Sequence, residues 1–389
     1  MRMPIHADDI RICLEDQPAR EPGIEPMATP IVQTSLFAFP DVDSFISAGA
    51  AESKTTVYSR GQNPTVEVLE RKIAALEHGE ACKAFGSGMA AISAVIMGTL
   101  ESGDHILFVN HTYGPTIQLA KHLRRFGIQF TETLDTEPAD VAKAMHPNTK
   151  LVWIESPGTM MFRTLDLAAI ADVARKHGGL TCVDNSWASP VFQKPIDHGV
   201  DIVVHSATKY IGGHSDVVAG VAVTTAQRME QIFYRAYLLF GGILHPFDSW
   251  LLLRGLRTLP VRMQQHEADA LKVAEFLRMR PEVGAVNHPA FMSPSSSLLG
   301  TSGLFSFDLK DAEFEQARQF VNALKRFRIG VSWGGVESLA IAANRRTNLH
   351  WLDAQQIPHG LIRLSIGLEG ADALIEDIGT ALDSLSSGS

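Results

Sequence analysis

Lys209 follows an apolar stretch in the segment VVHSATKYIGG, residues 203–213, with the hydroxyls of Ser206 and Thr208 just before it. A charged amine at the edge of a buried sheet is costly unless something takes up its charge. Lowering the pKa of a free lysine from about 10.4 to about 7 would cost about 4 to 5 kcal/mol, whereas condensation with an aldehyde removes the charge. The segment therefore fits either a surface lysine at a strand end or a reactive amine.

Two other apolar stretches end in acidic residues. Glu155 follows the apolar residues of LVWIES, and Asp184 follows those of LTCVDNSW. Each residue alone also fits a turn or a helix cap. Because ligands of open parallel sheets bind beyond the carboxyl ends of the strands, we expect both carboxylates to lie near Lys209 at one sheet edge.

A Gly-Ser-Gly turn leads from a predicted strand into a predicted helix in AFGSGMAAISAV. The free N–H groups of Gly88 and Met89 at the helix start suit a dianion such as a phosphate. Ser206 and Thr208, two apart on a predicted strand, would face the same side and add hydroxyls, while Lys209 would face the other. A dinucleotide site is the competing interpretation, but the G-x-G-x-x-G spacing is missing and no strand-ending acid lies about 20 residues further on.

These groups match the needs of pyridoxal 5'-phosphate (PLP), which takes a lysine on its aldehyde, an acid on its pyridine nitrogen and donors on its phosphate. Lys209 would form the Schiff base, and Asp184 would keep the ring nitrogen protonated. The residues expected to hold the phosphate are Gly88, Met89, Ser206 and Thr208.

Near-continuous apolar strands alternate with amphipathic helices from residue 63 onward, which predicts an α/β fold with a mostly parallel sheet covered on both faces. One predicted helix runs to Gly79, with Asn63 as its N-cap and Pro64 at its first position. The pattern changes after residue 255. We predict an irregular N-terminal arm (1–62), a cofactor-binding domain (63–255) and a smaller C-terminal domain (256–389).

Composition limits the possible partners. The chain has 389 residues, a formal net charge of −9 and no long basic run, which argues against nucleic acid or an anionic membrane surface. Its three cysteines, Cys13, Cys82 and Cys182, lie far apart, so neither a disulfide framework nor a metal site is expected. Without a signal peptide or a membrane-spanning stretch, the sequence predicts a cytoplasmic protein with a small-molecule partner.

The chain resembles the Cys/Met-metabolism group of fold-type I PLP-dependent enzymes over nearly its whole length. The matching segments are YSRGQNPT (58–65), GSGMAA (86–91), TYGPT (112–116), ESPG (155–158), DNSWASP (184–190), SATKYIGGHSD (206–216), SWGGVESL (332–339) and IRLSIG (362–367). The resemblance implies a seven-stranded sheet, a smaller C-terminal α/β domain, an amino-acid substrate and a homo-oligomer, a tetramer built as a dimer of dimers.

The resemblance also implies roles for residues outside the cofactor set. Tyr113 would stack on the cofactor ring and take part in proton movement. Tyr58 and Arg60 would reach the phosphate, and Tyr58 also the substrate, from a neighbouring subunit. The α-carboxylate of the substrate would be bound by Arg363, with help from Ser332 and the backbone of Trp333.

Within the family, SWGG, ESPG and HGLIRLSIGLE look most like the bacterial cystathionine β-lyases. This predicts β-elimination at cystathionine or another cysteine S-conjugate, giving a thiol, pyruvate and ammonia. One segment departs, because Gly61 stands where the β-lyases often have an arginine for the distal carboxylate. The alternatives are a cystathionine γ-synthase or γ-lyase, an O-acylhomoserine sulfhydrylase, and a non-catalytic binding protein of the same fold.

Overall fold

The computed structural model describes residues 5–16, 26–292 and 297–386. Residues 1–4 and 17–25 of the predicted arm and residues 293–296 and 387–389 of the predicted C-terminal domain lie outside this part. Across the described ranges, no helix is both long enough and apolar enough to cross a bilayer.

Seven strands form the larger sheet and confirm the predicted mostly parallel architecture. They are β1 (Ala81–Phe85), β2 (His105–Val109), β3 (Gln129–Thr133), β4 (Thr149–Glu155), β5 (Leu180–Asp184), β6 (Ile202–His205) and β7 (Gly220–Thr224). Their order across the sheet is β1-β7-β6-β5-β4-β2-β3. Only β7 runs antiparallel to its neighbours, while the strands from β6 to β3 pair in parallel.

Both faces of this sheet are buried, which explains why the central strands are apolar along most of their length. On β6, Val203 packs into one hydrophobic core and Val204 into the core on the opposite face. Consecutive residues of a central strand therefore pack into two different hydrophobic cores. The polar residues of these strands lie mainly at the strand ends.

The α-helices cover the sheet and link it to the rest of the chain. They are α1 (Ala7–Leu14), α2 (Val42–Gly49), α3 (Pro64–Leu76), α4 (Gly88–Thr99), α5 (Gly114–Leu123), α6 (Pro138–Ala144), α7 (Leu167–Lys176), α8 (Ser189–Phe192), α9 (Ala226–Ile232), α10 (Leu238–Phe240), α11 (Pro246–Leu256), α12 (Leu259–Arg278), α13 (Phe314–Ala323), α14 (Leu349–Ala354) and α15 (Ala371–Ser386). The Asn63 side chain accepts the Thr65 N–H at 3.0 Å, which confirms the predicted N-cap of α3. Helices α1 and α2 lie in the segment expected to be irregular.

A second sheet of five strands follows α12. Its strands are β8 (Val283–Asn287), β9 (Leu304–Leu309), β10 (Arg328–Ile329), β11 (Leu339–Ala342) and β12 (Leu361–Ser365), in the order β10-β11-β12-β9-β8. A separate hydrophobic core lies between this sheet and the helices α12, α13 and α15. The loop between β10 and β11 carries the SWGG segment to the edge of the larger sheet.

Candidate active site

The carboxyl ends of β4, β5 and β6 form the floor of the site. Glu155 and Asp184 are register partners at the ends of β4 and β5, as expected for neighbouring parallel strands. Strand β6 ends at His205, and the chain then turns, with the Lys209 N–H donating to the Ser206 carbonyl at 3.0 Å. The prediction that a strand continues through Lys209 is therefore wrong. The turn, not strand alternation, sets the direction of the lysine.

The Lys209 amine is held between the two sheets. Its Nζ donates to Ser332 Oγ at 2.5 Å and lies 5.3 Å from the centre of the Trp333 ring. Burial, followed by the nearby Arg363 guanidinium, lowers the pKa of Lys209 to about 8, whereas Asp184 opposes this shift. A substantial fraction of the amine is therefore neutral near pH 8 and able to accept a proton or attack a carbonyl.

The loop that bears Ser332 and Trp333 fits closely over Lys209. Ser332 has a φ of 78° and Gly334 a φ of 85°. A Cβ on Gly334 would lie 3.0 Å from the Lys209 carbonyl carbon, so only glycine allows this approach without a shift. The left-handed turn thus brings a residue of the smaller sheet's loop onto the amine.

Arg363 lies on β12 and faces the same loop. Its guanidinium donates to the main-chain oxygen of Ser332 at 3.2 Å, so Ser332 contacts both Arg363 and Lys209. Burial, and then Arg345, lowers the pKa of Arg363 to about 10, which leaves it cationic at neutral pH. A cation fixed beside the reactive amine suits the carboxylate of an amino acid.

Asp184 is a partly buried carboxyl with local hydrogen bonds. Burial raises its pKa, and hydrogen bonds from the side chain and main chain of Ser186, at 2.5 and 3.0 Å, oppose that rise. His205 and Lys209 also lower the pKa of Asp184 and so favour its ionised form. These contacts suit a carboxylate that holds a proton on a pyridine nitrogen.

Glu155 positions Tyr113 and is more than a strand-end acid. Its Oε1 accepts the Tyr113 main-chain N–H at 2.6 Å, and its Oε2 accepts the Thr159 hydroxyl at 2.8 Å. Burial, and then Asp184, raises the pKa of Glu155 to about 8. Burial and the two carboxyls also raise the pKa of Tyr113, so this phenol keeps its proton at neutral pH. The sequence indicated that Glu155 belongs to the site, but not that it holds Tyr113.

The start of α4 lies where the sequence predicts a phosphate subsite. Ser87 caps the helix, and its Oγ accepts the Ala90 N–H at 3.0 Å. The N–H groups of Gly88 and Met89 lie in the first turn, where an α-helix provides no internal acceptor. A Cβ on Gly88 would lie 2.9 Å from Ser206 Oγ, so Ser206 closes one side of this helix end.

Thr208 is tied to the chain beside it. Its hydroxyl donates to the Ala219 carbonyl at 3.1 Å and accepts the Ala219 N–H at 2.9 Å. The structure therefore brings Gly88, Met89 and Ser206 together directly. A contact of the Thr208 hydroxyl with a phosphate stays a prediction, and it would require the hydroxyl proton to turn away from Ala219.

Tyr58 and Arg60 are exposed and pack on each other, with 5.5 Å from the guanidinium carbon to the ring centre. Within the described ranges, none of their hydrogen bonds or ring contacts is with Lys209, Ser332 or Arg363. Gly61 beside them accepts a hydrogen bond from Lys83 Nζ at 3.4 Å. Their predicted place in a neighbouring subunit's site thus stays a prediction.

These groups fit PLP, with an amine of lowered pKa, a hydrogen-bonded carboxylate and a helix start without room for a side chain at Gly88. Lys209 would hold the aldehyde, Asp184 the ring nitrogen, and the N–H groups of Gly88 and Met89 the phosphate. No group of three or more histidines, cysteines or acids is placed to bind a metal in the described part of the chain.

Comparison with known proteins identifies the family. A family model described as Cys/Met metabolism PLP-dependent enzyme matches residues 12–383. The cystathionine gamma-lyase of Bacillus subtilis is 40% identical over 92% of this chain and 95% of its own length. The cystathionine beta-lyase MetC of Staphylococcus haemolyticus is 40% identical over 84% of each chain. The solved cystathionine gamma synthase of Xanthomonas oryzae pv. oryzae superposes with a TM-score of 0.89 at 33% identity, covering 97% of this chain and 98% of its own.

Proposed function

This chain belongs to the family of Cys/Met metabolism PLP-dependent enzymes, and we propose that it is a carbon–sulfur β-lyase. The substrates would be water and L-cystathionine or another cysteine S-conjugate, and the products a thiol, pyruvate and ammonia, the last two formed when water hydrolyses the aminoacrylate that is released. PLP, when bound, supplies the electron sink for the carbanion formed at Cα. The relatives include both β- and γ-lyases, so the choice between them is argued from the site.

The position of Trp333 carries the proposal. Its ring lies 5.3 Å from Lys209 Nζ and packs 5.4 Å from the Tyr210 ring, while the adjacent Ser332 hydroxyl accepts a hydrogen bond from the same amine. In β-elimination the base removes one proton, from Cα, and the sulfur leaves Cβ. In γ-elimination the base must also remove a proton from Cβ. An amine held by contacts with both Trp333 and Ser332 favours the reaction that needs a single position of the base.

The contacts of the other site residues indicate the role that each would have. Arg363 and Ser332 would bind the substrate α-carboxylate, and the neutral fraction of Lys209 would take the Cα proton. Asp184 would keep the ring nitrogen protonated. Tyr113, whose pKa is raised, would act near the leaving sulfur as a proton donor and not as a base.

One observation favours γ-chemistry as the second candidate. Gly61 lacks the side chain that would bind a distal carboxylate, and the Bacillus subtilis relative is named a gamma-lyase. A γ-synthase or an O-acylhomoserine sulfhydrylase belongs to the same alternative. A non-catalytic binding protein is disfavoured because a lysine with a lowered pKa and a positioned carboxylate have no use in a scaffold.

We further propose that the enzyme is a cytoplasmic homotetramer, organised as a dimer of dimers. Tyr58 and Arg60 are exposed on the segment that would meet a neighbouring subunit, where they would complete the phosphate subsite. We also propose the division into an arm, a cofactor-binding domain and a C-terminal domain at residues 62 and 255, because the second sheet begins only after α12.

A product assay tests the reaction. The purified enzyme would be given cystathionine, S-methylcysteine, cystine and O-acetylhomoserine, and the keto acids separated by chromatography. We expect pyruvate to dominate, with homocysteine from cystathionine. Dominant α-ketobutyrate, or a γ-replacement product, would overturn the β-lyase proposal.

Substitution of the tryptophan tests the observation itself. Trp333→Leu should raise the ratio of α-ketobutyrate to pyruvate from cystathionine, because the amine gains room toward Cβ. Trp351→Leu, on α14 and 38% exposed, is the matched control and should leave the ratio unchanged. An unchanged ratio of α-ketobutyrate to pyruvate in Trp333→Leu would show that Trp333 does not decide between β- and γ-elimination.

A further inference from the structure

Ser186, in the turn after β5, joins three parts of the site. Its main-chain N–H and its hydroxyl both donate to Asp184 Oδ1, at 3.0 and 2.5 Å. The same hydroxyl oxygen accepts the Ser206 N–H at 2.6 Å. The hydroxyl thus links the acid at the ring nitrogen to the first residue of the turn that carries Lys209.

The contact to Asp184 acts on charge. The buried carboxyl of Glu155 is the register partner of Asp184, and burial raises the pKa of both. A hydroxyl that donates to a carboxylate stabilises the ionised form. Ser186 therefore opposes the protonation that its surroundings favour at Asp184.

The contact to Ser206 acts on position. Ser206 lies against the start of α4, where a Cβ on Gly88 would be 3.1 Å from the Ser206 Cα. The Lys209 N–H donates to the Ser206 carbonyl at 3.0 Å, so the same residue fixes the turn that bears the lysine. The hydroxyl of Ser186 is thus connected to the phosphate end and to the lysine as well as to the ring nitrogen.

We propose that Ser186 is a positioning residue that keeps Asp184 ionised and aligned with the ring nitrogen while fixing the turn from Ser206 to Lys209. This role rests on the part of the proposed function that concerns PLP binding and does not depend on which substrate the enzyme cleaves. It concerns the hydroxyl alone, because the main-chain N–H contact to Asp184 remains in any variant that folds.

Cofactor binding provides the test. Ser186→Ala removes the hydroxyl, and the apoenzyme should then bind PLP about ten- to a hundredfold more weakly, as measured by titration of the cofactor absorbance. The pH at which the absorbance of the bound cofactor changes should also move, because Asp184 is easier to protonate. Ser186→Thr keeps a hydroxyl and should retain affinity within about threefold of the wild type.

Two controls separate this role from general packing. Ser189→Ala removes another buried hydroxyl from the same segment and should change neither affinity nor the pH profile. If Ser186→Ala does not fold, Ser186→Cys keeps the volume with a weak donor and should show the same loss.

Three results would overturn the proposal. They are wild-type affinity and an unshifted pH profile in Ser186→Ala or Ser186→Cys, an equal loss in Ser189→Ala, and failure of Ser186→Thr to restore binding. All three concern PLP uptake, so none depends on whether the enzyme proves to be a β- or a γ-lyase.

Discussion

Replacing Lys209 with methionine should stabilise the apoenzyme. Burial and Arg363 lower the pKa of this lysine from 10.5 to about 8, so folding disfavours its charged form. At roughly 1.4 kcal/mol for each pH unit, this difference corresponds to about 3 kcal/mol at pH 7. Asp184 would lose a favourable cation in the variant, so this figure is an upper value for the increase in the free energy of unfolding.

The pH dependence follows from the direction of the shift. Between about pH 8 and pH 10.5, the unfolded chain holds a proton on this lysine that the folded chain has released. Wild-type stability therefore rises with pH across that window relative to the variant. Below about pH 8 the full difference between the two proteins should be present, and it should shrink as the pH approaches 10.

Urea unfolding of the two cofactor-free proteins, followed by tryptophan fluorescence from pH 7 to pH 10, measures this difference. Lys150→Met, which changes an exposed lysine on β4, is the matched control and should show no such trend. The reasoning would be refuted if Lys209→Met had a lower free energy of unfolding than the wild type at pH 7, or if the difference between the two proteins grew with pH. Either result would show that the surroundings of Lys209 do not disfavour its charged form.

Three further predictions concern activity. Asp184→Asn should still bind PLP but lose several orders of magnitude in kcat, because an amide cannot keep the ring nitrogen protonated; near-normal turnover would assign that task to another group. Arg60→Ala and Lys209→Ala, each inactive alone, should regain part of their activity when mixed and refolded, whereas verified hybrids without recovery would place Arg60 in its own chain's site. Gly61→Arg should raise the preference for cystathionine over S-methylcysteine, measured as a ratio of kcat/KM values. Glu52 Oε1 would lie 3.3 Å from the new Cβ and compete for the guanidinium. Gly61→Arg combined with Glu52→Gln should therefore show the larger change in this ratio. An unchanged ratio in both the single and the double variant would contradict the proposed role of this position in binding the distal carboxylate.

The sequence was sufficient to predict the buried part of the fold. Central strands such as β4 and β5 are apolar because both faces of the sheet are covered, and their ends were therefore visible in the sequence. Strand β3, with the polar sequence QFTET, was not among the individually predicted strands because it lies at the sheet edge and is partly exposed. Its pairing with β2 depends on main-chain hydrogen bonds that composition does not reveal.

Helix α1 was missed for a different reason. It has only 8 residues, too few for local propensity to be decisive. Buried ion pairs hold its segment to the body of the protein, from Asp9 to Lys194 at 2.9 Å and from Asp16 to Lys72 at 2.6 Å. Such contacts join residues more than 50 positions apart, and no local pattern predicts them.

The groups expected to hold the cofactor could be found in the sequence because they lie at the end of a strand, in the turn that follows one, or at the start of a helix. Asp184, Lys209 and Gly88 could be located by this rule. Ser186 and the role of Glu155 could not, because both depend on which donor meets which carboxyl. The DNS sequence does contain the one signal available, a serine two residues after an acid, which is the spacing of a local side-chain to main-chain hydrogen bond.

The substrate end depends on contacts between the two sheets, and Ser332 shows why this matters for chemistry. Its main-chain oxygen accepts a hydrogen bond from Arg363, and its hydroxyl accepts one from Lys209 Nζ, although the two donors lie more than 150 residues apart in the chain. A carboxylate bound by Arg363 would lie near this same serine and would accept a hydrogen bond from its hydroxyl. Because the Ser332 hydroxyl oxygen also accepts a hydrogen bond from the Lys209 amine, binding of such a carboxylate would be coupled to the freedom of that amine to move.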